Sequence, residues 1–166
     1  LRLRLPDDLV DRLATKLQEA GHSVPVVKGK VRLSFYLAPG PEGRIFIYPE
    51  PNYAYATWCV EHPPKHVDRK RAQKVRRFFY GHVKFVENDS LGRMVIPERL
   101  RKLAGIDGGH RKVVLVPQRY FYELMTEDAF EQTMTEDVEA FDVDGEDILN
   151  PFDTPFEQEE DEEHVV

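Results

Sequence analysis

The stretch Gly92-Arg93-Met94-Val95-Ile96-Pro97 repeats an order of residues that first occurs 91 positions earlier, in Leu1-Arg2-Leu3-Arg4-Leu5-Pro6. Both stretches have the same order: arginine, an apolar residue, a variable residue, an apolar residue and a proline that opens a helical pattern. Alternation favours a strand, and proline is well tolerated in the first turn of a helix. The repeat therefore predicts a strand–helix unit that occurs twice.

The regions that follow each stretch also share an order of predicted elements. In the first half, periodicity predicts a helix over residues 7–20, then strands over residues 24–27, 31–37 and 44–48, then a helix opened by Tyr53. In the second half, we predict strands over residues 81–87, 93–96, 112–116 and 120–124, and helices over residues 97–104 and 127 to about 135. Each half thus contains the order strand, helix, two strands and helix, with one further predicted strand in each half. The few strands of one half cannot bury both faces of a sheet by themselves. We therefore expect the two halves to pack on one another.

Charge is distributed unevenly along the chain. The net charge is -7 over 166 residues, but residues 136–166 contain fourteen Asp and Glu and no Lys or Arg. Residues 1–135 therefore carry 23 basic and 16 acidic side chains, a net charge of +7. A basic body favours a polyanionic partner, although a solvated surface is the commoner reason for any single cluster. The acidic stretch lacks apolar periodicity, so disorder is expected at least from Asp142 onward.

Composition argues against several classes of protein. No apolar run approaches the roughly 18 residues that a membrane-spanning helix needs. Cys59 is the only cysteine, which excludes an internal disulfide and favours a reducing, cytoplasmic compartment. We find no nucleophile with its base, no phosphate-binding glycine loop and no pair of carboxylates in an apolar segment, so neither catalysis nor a cofactor is expected. Residue 1 is leucine rather than methionine, and the native start is expected to be missing.

The residues from Asp89 to Arg93 are the strongest candidate site. The Asp89 carboxylate can accept hydrogen bonds from backbone amides two residues on, and Gly92 can adopt a positive φ, which together predict a tight turn. Arg93 would then either project and contact guanine edges or phosphate, or pair with Asp89 across a hairpin. The residues alone favour neither role. Arg2 and Arg4 would hold the equivalent positions in the first half.

Two weaker clusters also carry chemistry. One is a basic run that comprises Lys65, Arg69, Lys70, Arg71, Lys74, Arg76 and Arg77. These side chains could contact backbone phosphates, or they could form a solvated helix face. Cys59, His62 and His66 have a spacing that could seat three zinc ligands, which would suit a metal-dependent enzyme. A fourth ligand is lacking, so we expect no metal site.

Six stretches of the second half are informative together: Arg76-Arg77-Phe78-Phe79-Tyr80-Gly81-His82, Asp89-Ser90-Leu91-Gly92-Arg93-Met94-Val95-Ile96-Pro97, Leu100-Arg101, Ala104-Gly105-Ile106, Val113-Val114-Leu115-Val116 and Tyr122-Glu123-Leu124. In these residues the sequence resembles the MraZ family, bacterial proteins with two AbrB-like units. The resemblance implies an α+β fold in which two tandem β-α-β-β-α units pack as one pseudo-symmetric domain. The units are expected at residues 1–62 and 81–135, joined by a basic connecting helix at residues 63–80 and followed by an acidic, disordered tail at residues 136–166.

The resemblance also implies a function. Members are expected to be sequence-specific DNA-binding regulators of a bacterial division and cell-wall gene cluster, which bind repeated elements of double-stranded DNA as a homo-oligomeric ring at the nucleoid. Asp89, Gly92 and Arg93 are then implied to contact DNA, with Arg2 and Arg4 in the first half. Leu1 stands where the first motif should have glycine. This departure and the acidic tail favour an alternative, a protein-interaction or assembly module of the same fold with weak or lost DNA binding.

Overall fold

The computed structural model describes residues 2–106 and 112–149, with side chains through residue 144. The first half contains β1 (Arg2–Arg4), α1 (Asp7–Glu19), β2 (Val26–Val27), β3 (Lys30–Val31), β4 (Ser34–Pro39), β5 (Ile45–Pro49) and α2 (Tyr53–Glu61), and α3 (Arg69–His82) follows. The second half contains β6 (Lys84–Glu87), β7 (Arg93–Val95), α4 (Glu98–Leu103), β8 (Val113–Pro117), β9 (Tyr122–Thr126) and α5 (Glu127–Leu149). One compact unit extends to Glu127, and a second begins at Asp128 within α5. The chain is thus α+β, as expected.

Helix α1 shows how local sequence produces the elements. Its apolar residues recur at helical spacing, so that Val10, Leu13 and Ala14 are buried on one face. Two aspartates in the first turn suit the positive end of the helix dipole. Gly21, with a φ of 80°, ends the helix in the left-handed conformation that favours glycine. The predicted helix over residues 7–20 is confirmed.

A five-stranded antiparallel sheet joins the two halves of the sequence. Its strand order is β6-β4-β5-β9-β8, so β4 and β5 of the first half lie between strands of the second half. In the pairing of β5 with β9, Ile45 lies opposite Leu124, and both are fully buried. The halves therefore share one core and do not form separate domains before Asp128.

Both faces of this sheet are covered. Leu37, Ile45 and Ile47 point to a core that also contains residues of α1 and α4. Neighbouring positions point the other way, where Ala38 and Tyr48 pack with residues of α2 and α3. Because alternate residues of a strand face opposite sides, covering both faces requires the consecutive apolar residues of β4 and β5.

Two small antiparallel pairs lie outside the sheet. β1 pairs with β7, which forms a two-stranded ribbon from the two repeated stretches. β2 pairs with β3 in a hairpin. The strand predicted over residues 31–37 is therefore interrupted. The reason is that the Leu33 N–H bonds to the Asn88 side chain, at 2.6 Å, between β3 and β4.

Several other boundaries differ from the sequence-based expectations. The basic connecting helix begins at Arg69 because the Asp68 carboxylate accepts hydrogen bonds from the amides of Lys70 and Arg71, at 2.8 and 3.1 Å. It extends to His82, so β6 begins at Lys84 and not at the predicted residue 81.

The expectation of disorder from Asp142 is wrong through residue 149. Helix α5 continues to Leu149, well beyond the predicted end near residue 135. The extension is not explained by helix propensity, since Asp and Val recur and a Gly occurs in residues 136–149, but no proline occurs before position 151 to break the helix. The rest of the expected tail, residues 150–166, lies outside the described residues.

The shared sheet predicts that damage in the second half destabilises the first. Leu124→Ala should lower the free energy of unfolding by about 2–5 kcal/mol, because it removes a fully buried side chain from the common core. Trp58, the only tryptophan, lies on α2 in the first half and stacks on His62. Its fluorescence during urea denaturation should report the loss.

Leu103→Ala provides the matched control, since Leu103 is 43% exposed on α4 and its truncation should cost much less. Circular dichroism and Trp58 fluorescence should give one coincident transition for each variant. An unchanged Trp58 transition in Leu124→Ala would contradict the shared core.

Candidate nucleic-acid interface

The β1–β7 ribbon places three arginines on one face. Its register sets Arg2 opposite Val95, Leu3 opposite Met94 and Arg4 opposite Arg93. Cross-strand partners share a face and successive residues alternate, so the Leu3–Met94 pair points to the core, where Met94 is fully buried. Arg2, Arg4 and Arg93 consequently lie on the outer face. The structure thus brings together the arginines that sequence analysis singled out in the two halves.

The turn that precedes β7 is organised by one carboxylate. Oδ1 of Asp89 accepts hydrogen bonds from the amides of Leu91 and Arg93, both at 2.9 Å. The Gly92 N–H donates to the Asp89 carbonyl at 3.0 Å, and Gly92 has a φ of 69°. The predicted turn at residues 89–93 is therefore present, and it uses the Asx and glycine chemistry that predicted it.

Arg93 does not project alone from this turn. Its Nε and Nη2 atoms both lie 2.8 Å from Asp89 Oδ2, and each side chain is about one-third exposed. Of the two roles considered for Arg93, the structure shows the ion pair with Asp89. The guanidinium hydrogen bond, together with the Arg93 and Leu91 amides, lowers the pKa of Asp89 from 3.8 to about 2. Asp89 is therefore charged at neutral pH.

Asn88 is a residue that sequence analysis missed. It is 2% exposed, and it accepts the Leu33 amide at 2.6 Å and donates to the Val31 carbonyl at 3.2 Å. Its own amide donates to the Leu33 carbonyl at 3.1 Å. These bonds connect the turn to backbone more than fifty residues away, and no local pattern around Asn88 indicates such distant partners. Asn88 fixes where the turn sits on the core.

The first half supplies a looser counterpart. Arg4 Nη2 lies 3.3 Å from Asp7 Oδ2, and both side chains are largely exposed. The Leu5 N–H donates to the Gly92 carbonyl at 2.9 Å, which ties the first stretch directly to the turn of the second. Arg2 is exposed on the same outer face.

The basic run divides into paired and solvated residues. Arg71 pairs with Asp68, and Arg76 pairs with Glu61 across the contact of α3 with α2, both at 3.3 Å. The remaining members are exposed: Lys65, Arg69, Lys70, Lys74 and Arg77. Arg76 thus has a structural contact, and the others form a solvated basic surface.

The metal-site hypothesis is not supported. Within the part of the chain that the structure describes, no three His, Cys, Asp or Glu side chains are arranged to hold a metal ion. His62 Nδ1 lies 2.9 Å from the Trp58 carbonyl oxygen of its own helix turn.

Across residues 2–106 and 112–149, no helix combines the length and apolar character needed to cross a membrane.

Comparison with known proteins gives a consistent set of relatives. A protein named "Transcriptional regulator MraZ" from Lactiplantibacillus plantarum is 30% identical over 117 residues, 70% of this chain and 79% of the relative. The chain belongs to the MraZ family. Proteins of the same name from Thioalkalivibrio sulfidiphilus and Alkalilimnicola ehrlichii are 32% and 35% identical over 95 and 66 residues. No profile of a protein family matches the chain.

The alignments do not extend over whole MraZ proteins. The chain spans 60% of the Thioalkalivibrio sulfidiphilus protein and 42% of the Alkalilimnicola ehrlichii protein. The names of these relatives describe regulators and not enzymes, in agreement with the sequence-based expectation. The resemblance to the MraZ family is thus confirmed.

Acid should remove the contribution of Asp89 to stability. A carboxylate whose pKa is lowered on folding stabilises the protein fully above its unfolded value, near pH 4, and loses this effect as the pH falls towards 2. The gap in free energy of unfolding between wild type and Asp89→Asn should therefore be largest near neutral pH and shrink below about pH 4. Urea denaturation at a series of pH values measures it.

Asp8→Asn is the matched control, because Asp8 forms an exposed ion pair with Arg12 on α1 and should stabilise little at any pH. A gap for Asp89→Asn that stays constant from pH 6 to pH 3 would contradict the lowered pKa.

Proposed function

We propose that this chain is a DNA-binding transcriptional regulator that reads double-stranded DNA with the outer face of the β1–β7 ribbon. The observation that carries the proposal is the shared face of Arg2, Arg4 and Arg93, set by the register of the pairing. Relatives named transcriptional regulators are consistent with it. Binding of repeated operator elements upstream of a division and cell-wall gene cluster, at the nucleoid, belongs to the same proposal.

The geometry of the ribbon suits the major groove. That groove admits a two-stranded β-ribbon, and arginine bidentate to guanine is the commonest specific contact there. The ribbon is short, and its two strands carry the arginines at adjacent positions of one face. Such a surface can enter the groove without moving the core beneath it.

The ion pair with Asp89 is compatible with DNA contact. A guanidinium has five N–H donors, and the hydrogen bonds to Asp89 use Nε and Nη2. The Nη1 donors lie on the other edge of the planar group. Asp89 therefore holds the Arg93 side chain in one orientation while donors stay available for a base or a phosphate.

Substitution of Arg93 tests base readout. Arg93→Ala should weaken binding to DNA from upstream of the chain's own gene by about 1–3 kcal/mol per site, roughly 5- to 150-fold. Arg93→Lys keeps the charge but loses the planar fork, so it should lose operator binding while retaining affinity for random DNA. Fluorescence anisotropy at matched salt, with both duplexes, measures the two effects.

Arg99→Ala removes an exposed arginine of α4 that is not part of the ribbon, and it should leave operator affinity unchanged. Thermal denaturation of each variant confirms that the fold persists. Equal operator affinity for wild type and Arg93→Ala would refute the assigned role of Arg93. Absence of any DNA binding by the wild-type chain would refute the proposed function.

We also propose that the chain self-associates, as the expected ring requires. Tyr55 and Trp58 form one exposed stripe on α2, and Val75 and Phe78 form another on α3. Trp58 is 60% exposed and Val75 is 59% exposed. Large exposed apolar side chains in such stripes are typical of a surface that another protein covers. The same stripes would suit the alternative, an assembly module with weak DNA binding.

Light scattering tests self-association. Wild-type protein at micromolar concentration should have a mass that is a multiple of one chain, and Trp58→Glu should reduce it, because a buried unpaired charge is costly. Val27→Glu, an exposed apolar position on the β2–β3 hairpin, is the control and should leave the mass unchanged. A wild-type mass equal to one chain would contradict the proposal.

A further inference from the structure

The β2–β3 hairpin lies beside the ribbon, because Lys30 lines one groove with Arg4 and Arg93. Val26 and Val27 are 61% and 43% exposed, so the tip contributes little to the core. Only its base packs, through the partly buried Val31. Among the described residues, core packing therefore stabilises the base of the hairpin and does not involve its tip.

The turn of the hairpin places a lysine in an unfavourable conformation. Lys28 and Gly29 connect the strands, with φ values of 52° and 72°. Two-residue turns of this kind favour Asn-Gly or Gly-Gly, because side chains other than those of Asn and Asp rarely adopt positive φ. The turn geometry thus explains Gly29 and gives no reason for a lysine at position 28.

Asn88 connects this hairpin to the Asp89 turn. Through its bonds to the backbone of Val31 and Leu33, it holds the end of β3 beside the turn that carries Arg93. Val27, Lys28, Lys30 and Arg32 line one concave surface of ≈ 230 Å³ with Asp89 and Ser90. Lys30 also lines a larger groove of ≈ 550 Å³ with Arg4 and Arg93.

The basic side chains of the hairpin form no ion pair with the surrounding described side chains. Lys28 and Lys30 are exposed and Arg32 is partly buried, and no ion pair involving them is found in the described part of the chain. The carboxylates that line the larger groove are Asp7 and Asp11. Asp7 pairs with Arg4, and Asp89 at the smaller surface pairs with Arg93. The hairpin is therefore a source of positive charge beside the ribbon.

We propose that the β2–β3 hairpin is a second DNA-contacting arm, in which Lys28 and Lys30 bind backbone phosphates beside the groove that the arginine ribbon enters. This inference rests on the proposed function. Lysine is a compact charge on a flexible stem, which suits phosphate contact more than base readout. The arm adds affinity for every duplex and carries no sequence preference.

Salt dependence of binding tests the arm. Lys28→Asn removes one charge and suits the positive φ of the turn, so the fold should persist or become more stable. Each lysine that no longer neutralises a phosphate should reduce the slope of log affinity against log salt by about 0.9. We therefore expect a reduction of about 0.9 for Lys28→Asn and about 1.8 for Lys28→Asn/Lys30→Gln, equal for operator and random duplexes.

Two controls isolate the position of the charge. Lys16→Gln removes one charge from the flank of α1 that lines a different groove, and it should leave the slope unchanged. Lys28→Arg keeps the charge and should retain wild-type affinity and slope. The ratio of operator to random affinity should stay constant in the hairpin variants, whereas Arg93→Ala should lower it.

The outcomes separate this inference from the proposed function. If the wild-type chain binds DNA and Lys28→Asn/Lys30→Gln has the same salt slope as the wild type, the proposed role of the hairpin is wrong and the proposed role of the ribbon stands. A hairpin variant that lost only operator binding would also overturn the role of the hairpin, because phosphate contacts act on all sequences. Failure of the wild-type chain to bind either duplex would overturn both.

Discussion

The pairing of β1 with β7 is the interaction on which the rest of the structure depends. It joins two stretches that are 91 residues apart and places Leu3 and Met94 in the core. A slip of one residue would turn the arginines inward and expose Met94, so burial fixes the register. The bond from the Leu5 amide to the Gly92 carbonyl supports the same alignment. Register thus converts a repeated sequence pattern into one basic surface.

That register has an electrostatic cost, because Arg4 lies directly opposite Arg93 and like charges opposite one another destabilise a strand pair. Each arginine has its own carboxylate, Asp7 and Asp89 respectively. The carboxylates of Asp7 and Asp89 therefore offset the repulsion between the arginines of the ribbon, which explains why acidic groups lie at a proposed DNA surface. They keep the arginines together when no polyanion is present, and they leave part of each guanidinium exposed.

Local chemistry explains what could be predicted from the sequence. Helix α1 follows from apolar spacing, and the turn at Asp89 follows from an aspartate and a glycine three residues apart. The pairing partners of β1 and β5 could not be predicted in this way, since strand pairing over long separations leaves no mark on local periodicity. Asn88 was missed for the same reason, because its partners Val31 and Leu33 are distant in sequence. The ion pair of Arg93 with Asp89 became evident only from the distance between their side chains.

The two halves of the ribbon differ in rigidity, and this difference suggests a division of roles under the proposed function. Arg93 is held by an ion pair at 2.8 Å to a carboxylate that also binds two backbone amides, whereas Arg4 has one exposed contact at 3.3 Å. Ordering a long flexible side chain costs about 1.5–2 kcal/mol, and Arg93 has lost most of this freedom before DNA arrives. Base readout needs a fixed donor geometry, while phosphate contact tolerates a mobile one. Arg93 is therefore suited to specificity, and Arg2 and Arg4 are suited to positioning.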